Sequence, residues 1–592
     1  MSRADRAHRP AGGRTPNLTT DGLQPSVDPS NDNAFLRWVR KHQRWLYAGV
    51  VIALLTQMAI AMITTAVEQS PTIDEPVYVG TAVVYLEEHS LRYNPEHPPL
   101  GKLIIAAGVA FTDPKIAPGF SGHEWELGKH VVYEAGNDPD RLMLAARLPV
   151  ILLTLLFGLV VFAFASDLAG RAGGVLALTL FTFSPDVIAH GSLATLDVPV
   201  AGFLLTSVWL VWRARRRPGL YLPLAGLALG AATATKVLSL VVVPVLIPLA
   251  VVSVWHARRA RGLDLKSPAL LIGRGVLAGA GMALIAIVVV WASYLVVDPG
   301  LRWETPSGMQ PLHGMRTLVE WLPFPQPLRD GMRFQFELED HVWHNFLFGR
   351  HYTGSLWYYG PAALLVKTPL GALAIWLAGA AVLLSVRRLR PAAPYVLVPT
   401  ALLMATAMVI VRDNGVRYLA FAPMFLAVAA AAVLVVRRRW VKVAAVAVVA
   451  FAAVSSLMTF PYYLPYSNEA FGGPENTHKY LLDSNVDWGQ DLGRLADRLK
   501  QDYAGERTWL VYQGSGLPSY YGIDAADPLT VPEDQVHGVL AVSDSAVLGA
   551  FADPMGGGGA PGNGHGSDLG SLIAGSTPVE RVGHSMTIYR RP

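Results

Sequence analysis

The sequence contains no cysteine among its 592 residues. This absence excludes disulfide bonds, thiolate zinc sites and a cysteine nucleophile. Charged residues are also scarce, at 16% of the chain, and the formal net charge is only +4. So mild a charge does not indicate a nucleic-acid groove, and we expect no nucleic-acid partner. Any chemistry must rest on carboxylates, nitrogen bases, hydroxyl groups or metals held by other ligands.

Hydrophobic residues, by contrast, make up 52% of the chain, and the mean hydropathy is +0.35. Apolar runs long enough to cross a bilayer recur through most of the sequence, which predicts an α-helical polytopic membrane protein. Taking about 20 residues per crossing, we predict about eleven spans. They lie near residues 46–66, 144–166, 172–189, 193–212, 219–235, 237–255, 270–297, 361–385, 394–411, 417–436 and 441–463.

The orientation of these spans follows from the basic residues between them. Short cytoplasmic loops collect Lys and Arg. If the N-terminal segment RWVRKHQRW is inside, four of the five inner loops are basic (WRARRRP, HARRARGLDLK, VRRLRP and VRRRWVK), and the fifth, SDLAGRAGG, has one Arg. This pattern predicts a multi-pass protein of the cell membrane with its N terminus inside and its C terminus outside. Three large segments then face the extracytoplasmic side, where we expect the active site: 67–143, 298–360 and 464–592.

Three domains are expected from composition. Residues 1–34 are polar and rich in Pro, Gly and Arg, which predicts a disordered cytoplasmic tail. Residues 35–463 form the predicted transmembrane catalytic domain, whose outer loops contain apolar patches suited to interfacial helices. In residues 464–592 an amphipathic helix alternates with the strand-like runs TWLVYQ, GVLAVS and MTIYR, which predicts a small extracytoplasmic α/β domain with a Gly-rich loop at 555–570.

The first candidate site residues are Asp74 and Glu75, in the run SPTIDEPVYVG directly after the first span. At this position they would meet the head group of a lipid-linked substrate. The alternative is structural: Thr72 and Glu75 have the spacing of a capping box, with Pro76 in the first turn of a helix.

The motif EHPPLGK follows about one loop-length later and contains His97 and Lys102. Its two prolines fix the entry into a helix, near whose start a phosphate would meet both side chains and free backbone donors. The alternative is a turn followed by a snorkelling lysine.

These motifs occur in an order that resembles a known family. After DE and HPPLGK come ARLP, SPDVIAHGSLATLDVP, TATKVLSL, GSLWYYGPAALLVKTPLG and NGVRYLAFAP. The set resembles the protein O-mannosyltransferase superfamily of GT-C glycosyltransferases, to which the aminoarabinose transferases of lipid A are related. The closing run PYSNEAFGGPENTHKYLLDSNVDWGQDL resembles a bacterial branch of phospholipid-carrier-dependent glycosyltransferases. The resemblance implies a GT-C fold and a polyprenyl-phosphate sugar as donor.

The resemblance also implies an inverting transfer, with Asp74 as general base and Glu75 as its neighbour. The leaving phosphate is already a stable anion and needs positive charge in a low-dielectric pocket. Ionisable groups within spans usually face a cavity, although snorkelling is the alternative for each cation near a span end. The candidates for binding the donor phosphate are His97, Lys102, Arg147, Lys236, Lys367 and Arg417.

Three further residues are candidates for binding the sugar or the acceptor. Asp197, in ATLDVP, matches a second acidic position of the family and would bind the sugar, the acceptor or a metal; the alternative is an N-cap of the fourth span. Trp357 and Tyr358 precede a span, so they fit an interfacial aromatic belt first and a sugar-stacking surface second.

A weak metal candidate lies in DSNVDWGQD, where Asp483, Asn485, Asp487 and Asp491 alternate like the ligands of a calcium loop. Trp488 replaces the glycine of the sharp turn, and Arg494 stands where such a loop needs a bidentate glutamate. Acids near the N terminus of the following helix are the alternative explanation. No cofactor is required by this prediction, and a divalent cation stays open.

The function predicted from the sequence is the inverting transfer of a sugar, with mannose as a candidate, from a polyprenyl-phosphate donor to an extracytoplasmic acceptor hydroxyl. A protein, a lipid or a cell-wall glycan would supply that hydroxyl, and membrane lipids surround the enzyme. Two alternatives stay open: a transporter or flippase for polyprenyl-linked sugars, and a non-catalytic assembly partner in the cell envelope.

Overall fold

The computed structural model describes residues 34–262, 268–549 and 568–592. Of the predicted tail, residues 1–33 lie outside the described residues, and so do residues 555–567 of the predicted Gly-rich loop. By internal packing the chain divides into Met1–Gly49 and Val50–Pro592. The described part of the first unit is the beginning of the first helix.

The part of the chain before residue 464 is mostly helical. Its α-helices are α1 (Ala34–Glu68), α2 (Glu75–Glu87), α3 (Pro99–Val109), α4 (Glu124–Lys129), α5 (Pro139–Thr182), α6 (Pro185–Gly191), α7 (Asp197–Arg213), α8 (Pro218–Thr233), α9 (Val243–Ala260), α10 (Pro268–Val297), α11 (Gln326–Asp340), α12 (Tyr359–Lys367), α13 (Leu370–Ser385), α14 (Ala393–Ala407), α15 (Phe421–Ala430) and α16 (Arg439–Thr459). Short 3-10 helices precede α9 (Val237–Val242) and flank α15 (Val416–Leu419 and Ala431–Val435).

Six helical segments in the described residues are long and apolar enough to cross a membrane, and a seventh is added if one bent pair counts as a span. The shorter apolar helices Pro99–Thr112, Pro218–Thr233 and Ala393–Ala407 accompany them. Every predicted span coincides with helical structure, which confirms the predicted class of a helical, multi-pass membrane protein. The number of eleven crossings and their orientation stay predictions.

One break in the helices falls where the sequence predicts a connection, and another interrupts a predicted span. Helix α5 breaks at Gly170, between the predicted spans 144–166 and 172–189, and the φ of 76° there suits a residue without a Cβ atom. The predicted span 361–385 consists of two helices, α12 and α13, bent by 120° on either side of Thr368 and Pro369. Proline has no N–H to donate to a helix, so it favours a new start at this point. The expectation of one continuous helix there is wrong.

One apolar core joins helices from both halves of the membrane region, including buried side chains of α1, α5, α7, α13 and α15. The α15 segment is the most enclosed of the candidate spans, with 78% of its most apolar window buried. In the segment 67–143, which is predicted to be an outer loop, α2, α3 and α4 pack with the start of α5 around a second core. Of the 13 residues of α2, 11 are buried, because its sequence is apolar on every side.

The chain after residue 464 forms a small α/β unit, as predicted. Its strands are β3 (Thr508–Val511), β4 (Gly538–Ser543), β5 (Thr577–Val582) and β6 (Met586–Arg591), after the hairpin β1 (His344–Leu347) and β2 (Arg350–Thr353) of an outer loop. The sheet order is β3-β4-β6-β5, with β3 and β4 parallel and the other pairs antiparallel. Helix α17 (Leu492–Asp502) packs Leu492, Leu495 and Leu499 against it, and α18 (Asp544–Gly549) and α19 (Leu569–Ala574) complete the unit.

Candidate active site

The position of Asp74 is fixed by backbone contacts to a distant part of the chain. The N–H of Ser70 donates to the carbonyl of Gln490, and the N–H of Ile73 donates to the carbonyl of Trp488, both at 3.0 Å. The hydroxyl of Ser515 donates to the carbonyl of Ile73 at 2.6 Å. Asp74 is the N-cap residue of α2, but its side chain makes no cap hydrogen bond. Its carboxylate is therefore free to face the site.

The partner of that carboxylate is Arg417, which lies 343 residues away in sequence. Nη1 of Arg417 donates to Oδ2 of Asp74 at 2.5 Å. The guanidinium lies over the ring of Trp488, 4.3 Å from its centroid, and 5.1 Å from the ring centroid of Tyr418. Nε of Arg417 is buried and has no hydrogen-bond partner in the protein. The arginine therefore retains a donor for a ligand.

A second ion pair lies on the other side of Tyr418. Nζ of Lys236 is 2.5 Å from Oδ1 of Asp197 and 5.2 Å from the Tyr418 ring centroid. Asp197 is the first residue of α7 and not its N-cap, which is Leu196, so the capping alternative does not apply. Asp197, Lys236 and Arg417 line one cavity, whose other walls are mostly apolar: Val200, Ala201, Leu204, Leu238, Ser239, Leu403, Tyr418, Ala420 and Phe421.

His97 belongs to the same neighbourhood. Burial, followed by the charges of Lys236, Lys102, Arg412 and Arg417, holds the pKa of His97 well below its usual range. The imidazole is thus neutral at physiological pH, and its buried Nδ1 has no partner in the protein. Its place among these cations agrees with the prediction of a phosphate-binding region, although its own contribution would be a hydrogen bond and not a charge.

Glu75 and Arg147 form a separate, fully buried pair. Nε and Nη2 of Arg147 donate to the two carboxylate oxygens of Glu75 at 2.8 and 2.6 Å. Glu75 also accepts from Thr72 and from the N–H of Ala194. Burial acts to raise the pKa of Glu75, but Arg147 and these donors outweigh it, so the pKa is lowered and the group is ionised.

All five N–H groups of Arg147 are used, because the remaining three donate to the carbonyls of Ala66, Gln69 and Ser70. The structure therefore places Arg147 as the anchor of the turn before Asp74, with no donor left for a phosphate. Part of the capping alternative also holds here, since the N–H of Thr72 donates to the Glu75 side chain at 2.9 Å.

The two lysines Lys102 and Lys367 are likewise occupied by the protein. Lys102 is fully buried and donates to the carbonyl and side chain of Asn94 and to the carbonyl of His97. Lys367 donates to the carbonyls of Leu464 and Asn485 and lies 3.8 Å from Asp186. Neither ammonium group is presented to the cavity. Their placement favours structural roles over the predicted phosphate binding.

The remaining candidates lie outside the two ion pairs. Trp357 and Tyr358 are 66% and 41% exposed and contact each other edge to face at 5.6 Å; this exposure suits an interfacial belt.

The four weak metal candidates already accept hydrogen bonds within the protein: Asp483 from Ser484, Asn485 from Val416, Asp487 from Gly489 and Ser545, and Asp491 from Gln490, Arg494 and Ser585. Among the described residues, no three His, Asp or Glu side chains are grouped so that they could hold a metal ion.

Four residues near the site were not predicted: His190, Arg412, Tyr418 and Trp488. Arg412 donates to Gln335 of α11 at 2.7 Å and has a buried Nε without a partner. His190 belongs to the motif SPDVIAHGSLATLDVP, and Trp488 was noted only because it departs from the pattern of a calcium loop. Each could have been suspected from its motif, since His190 shares one with Asp197 and Trp488 shares one with Asp487.

Together, the fold and the site define a multi-pass membrane protein with two ion pairs at an apolar-walled cavity. Residues 51–298 match the family model of the dolichyl-phosphate-mannose-protein mannosyltransferases, which confirms the resemblance over that part of the chain. No protein among the curated sequences compared matches this chain.

Solved structures that are similar to the chain include an ArnT, an oligosaccharyltransferase and a Pmt1-Pmt2 complex. ArnT from Cupriavidus metallidurans in the apo state has a TM-score of 0.45 at 13% identity, covering 92% of this chain and 98% of ArnT. The archaeal oligosaccharyltransferase AglB from Archaeoglobus fulgidus gives 0.41 at 10% identity, with 85% and 70% covered. The S. cerevisiae Pmt1-Pmt2 complex gives 0.31 at 17% identity, with 42% and 33% covered.

Proposed function

We propose that the chain is an inverting glycosyltransferase that moves a sugar from a polyprenyl-phosphate donor to an acceptor hydroxyl. The observation that carries the proposal is the Asp74–Arg417 pair beside a cavity that combines two cations, a carboxylate and apolar walls. Apolar walls suit an isoprenoid chain, cations suit its phosphate, and carboxylates suit hydroxyl groups. The match of residues 51–298 to a family that uses dolichyl-phosphate mannose supports this class of donor.

In the proposed reaction, Asp74 accepts the proton of the acceptor hydroxyl while the acceptor oxygen forms a bond to the anomeric carbon. The bond between that carbon and the phosphate oxygen breaks, and its electron pair stays on the phosphate. Arg417 and Lys236 would stabilise the charge that develops there, and preorganised cations in a water-poor site are effective in this role. Attack opposite to the leaving group inverts the anomeric configuration.

The Asp74–Arg417 contact suggests how the base becomes available. Without donor, the two charges neutralise each other at 2.5 Å. A donor phosphate would compete for Arg417, whose Nε is already unpartnered. We propose that donor binding draws the guanidinium towards the phosphate and leaves the Asp74 carboxylate for the acceptor. This order would protect the base from pairing with other groups before the donor arrives.

The proposed face of the membrane is the extracytoplasmic one. Helix α7 begins at Asp197 in the site and ends at Arg213, beside the basic turn 213–217. Its 17 residues span about 25 Å, so the site and the basic turn lie at opposite ends of one helix. Because basic turns favour the cytoplasm, the site is assigned to the outer side. Mannose is a candidate sugar, and a protein, lipid or cell-wall glycan is the acceptor.

The test is transfer in vitro from polyprenyl-phosphate sugars, with the purified protein in detergent or liposomes. We expect the wild type to transfer the sugar with inversion. Turnover should fall about 10²- to 10⁴-fold in Asp74→Asn, the range usual for removal of a general base. The matched control is Asp167→Asn, because Asp167 also pairs with an arginine, Arg213, but at the opposite end of α7 from the site. Full turnover in Asp74→Asn would remove Asp74 as the base; translocation of the lipid without glycosidic-bond formation would favour a transporter.

A further inference from the structure

His190, at the end of α6, is a buried histidine whose two ring nitrogens have no hydrogen-bond partner among the described residues. The residue is 1% exposed, and both Nδ1 and Nε2 are buried. A buried polar group normally finds a partner, because burial without one costs about 1–3 kcal/mol. His97 and His478 each have one buried ring nitrogen without a partner, whereas His190 lacks a partner at both. This double vacancy beside Arg417 points to a ligand that is present when the enzyme works.

The surroundings of His190 connect it to the site. Its ring makes an edge-to-face contact with Trp488, with 6.0 Å between the centroids, and the same indole also contacts the Arg417 guanidinium at 4.3 Å. The charged groups that act electrostatically on the imidazole are Asp197, Lys367 and Arg417. His190 thus lies among the residues of both ion pairs, next to the arginine that we assign to the donor phosphate.

The chemistry of these neighbours selects the ligand group. The donor phosphate is already assigned to Arg417, and an isoprenoid chain has no hydrogen-bonding atom to offer. A neutral imidazole such as that of His190 provides one donor and one acceptor, and the Asp197 carboxylate provides acceptors alone. A hydroxyl group can both donate and accept, so it can bind the imidazole and the carboxylate alike. In a donor whose phosphate is at Arg417, the hydroxyl-bearing part adjacent to the phosphate is the sugar.

We propose that His190 binds a hydroxyl group of the donor sugar and thereby contributes to the choice of sugar. This inference rests on the proposed function, and it adds a specificity-determining residue to it. Since the phosphate and the lipid chain are bound elsewhere, loss of the imidazole should weaken the sugar-bearing lipid selectively. A purely structural role would instead weaken every ligand of the site.

The experiment compares three lipids on wild type, His190→Ala and His190→Gln: polyprenyl phosphate without a sugar, polyprenyl-phosphate mannose and polyprenyl-phosphate glucose. For the sugar lipid that the wild type binds better, we expect affinity to fall about 5- to 20-fold in His190→Ala, as for one or two lost hydrogen bonds. Affinity for the sugar-free lipid should stay within about 2-fold, and the preference between the two sugars should shrink. His190→Gln retains a donor and an acceptor and should recover part of the loss.

His478→Ala is the matched control, because His478 also has a buried Nδ1 without a partner but lies in the 3-10 helix Pro474–Lys479. It should change none of the three affinities. Equal loss of all three lipids in His190→Ala, or no loss at all, would overturn the proposal for His190. Failure of the wild type to bind or transfer any of the sugar lipids would instead overturn the proposed function, so the two failures are distinguishable.

Discussion

The adjacent acids Asp74 and Glu75 should respond in opposite ways to the same substitution. The Asp74 side chain is 21% exposed and contacts one cation, Arg417, which Asp197 and Asp483 also help to neutralise. Asp74→Asn should therefore cost about 1 kcal/mol of stability or less, as for a partly exposed pair. Its effect should fall on turnover, with a loss of about 10²- to 10⁴-fold.

Glu75 has no exposed surface and accepts five hydrogen bonds from Arg147, Thr72 and Ala194. In Glu75→Gln the amide nitrogen would face donors, and Arg147 would lose its only counter-charge. Breaking one side of a buried ion pair costs about 3–5 kcal/mol. We expect the melting temperature to fall by about 2–4 °C, with turnover per folded molecule much less affected than in Asp74→Asn.

The assay measures both quantities on each purified variant: thermal unfolding by intrinsic fluorescence, and transfer from a polyprenyl-phosphate sugar normalised to folded protein. Glu134→Gln is a suitable control, since Glu134 is a half-exposed acid of the same outer loop. A Glu75→Gln variant with wild-type melting and abolished turnover would refute the reasoning and return Glu75 to the chemistry.

Three further predictions follow from the same contacts. Lys236→Met should raise KM for the donor about 10- to 100-fold, which corresponds to the loss of a hydrogen bond to a charged group. Lys115→Met, at an exposed position of the first predicted outer loop, should leave KM unchanged. Equal KM values for the two variants in steady-state kinetics would contradict the assignment of Lys236. Lys367→Met should lower the melting temperature and expose residues 464–485 to limited proteolysis, because Lys367 holds the carbonyls of Leu464 and Asn485; unchanged digestion would count against that role. Burial and, secondarily, Asp544 raise the pKa of Asp487 to about 7 from an ordinary 3.8. The contribution of this group to stability is therefore complete below about pH 4 and is lost as the pH rises through 7. The melting temperature of Asp487→Asn should accordingly change less between these pH values than that of the wild type.

Much of the fold could be predicted because bilayer-spanning segments are defined by composition. Each predicted span found a helix, and the strand runs TWLVYQ, GVLAVS and MTIYR correspond to β3, β4 and β6. Pro369 alone does not predict the break between α12 and α13. A proline is tolerated in the first turn of a helix, so its presence does not show that the chain bends there. The 120° bend depends on packing against distant segments, which a local pattern does not contain.

The candidate site was harder to predict than the fold because residue type does not state which partner a side chain will have. Arg417 and Lys236 lie at the cavity. The N–H groups of three other cations from the motifs donate mainly to backbone carbonyls instead: Lys102, Arg147 and Lys367. Such partners are contributed by turns, whose geometry emerges only in the folded chain. Likewise, the sequence does not show that Trp488 contacts Arg417. The two lie in segments that are far apart in the chain, as the hydrogen bond between Ser484 and Asn414, 70 residues apart, illustrates.

The backbone hydrogen bonds from Ser70 and Ile73 to Gln490 and Trp488 have a consequence for biogenesis. The turn that carries Asp74 leaves the ribosome early, but the carbonyls that hold it, and the indole beneath Arg417, are synthesised more than 400 residues later. An emerging chain can therefore insert all its helices and still lack an assembled centre. We therefore expect activity only after the C-terminal segment has folded back, and we expect truncated products to be inserted but inactive.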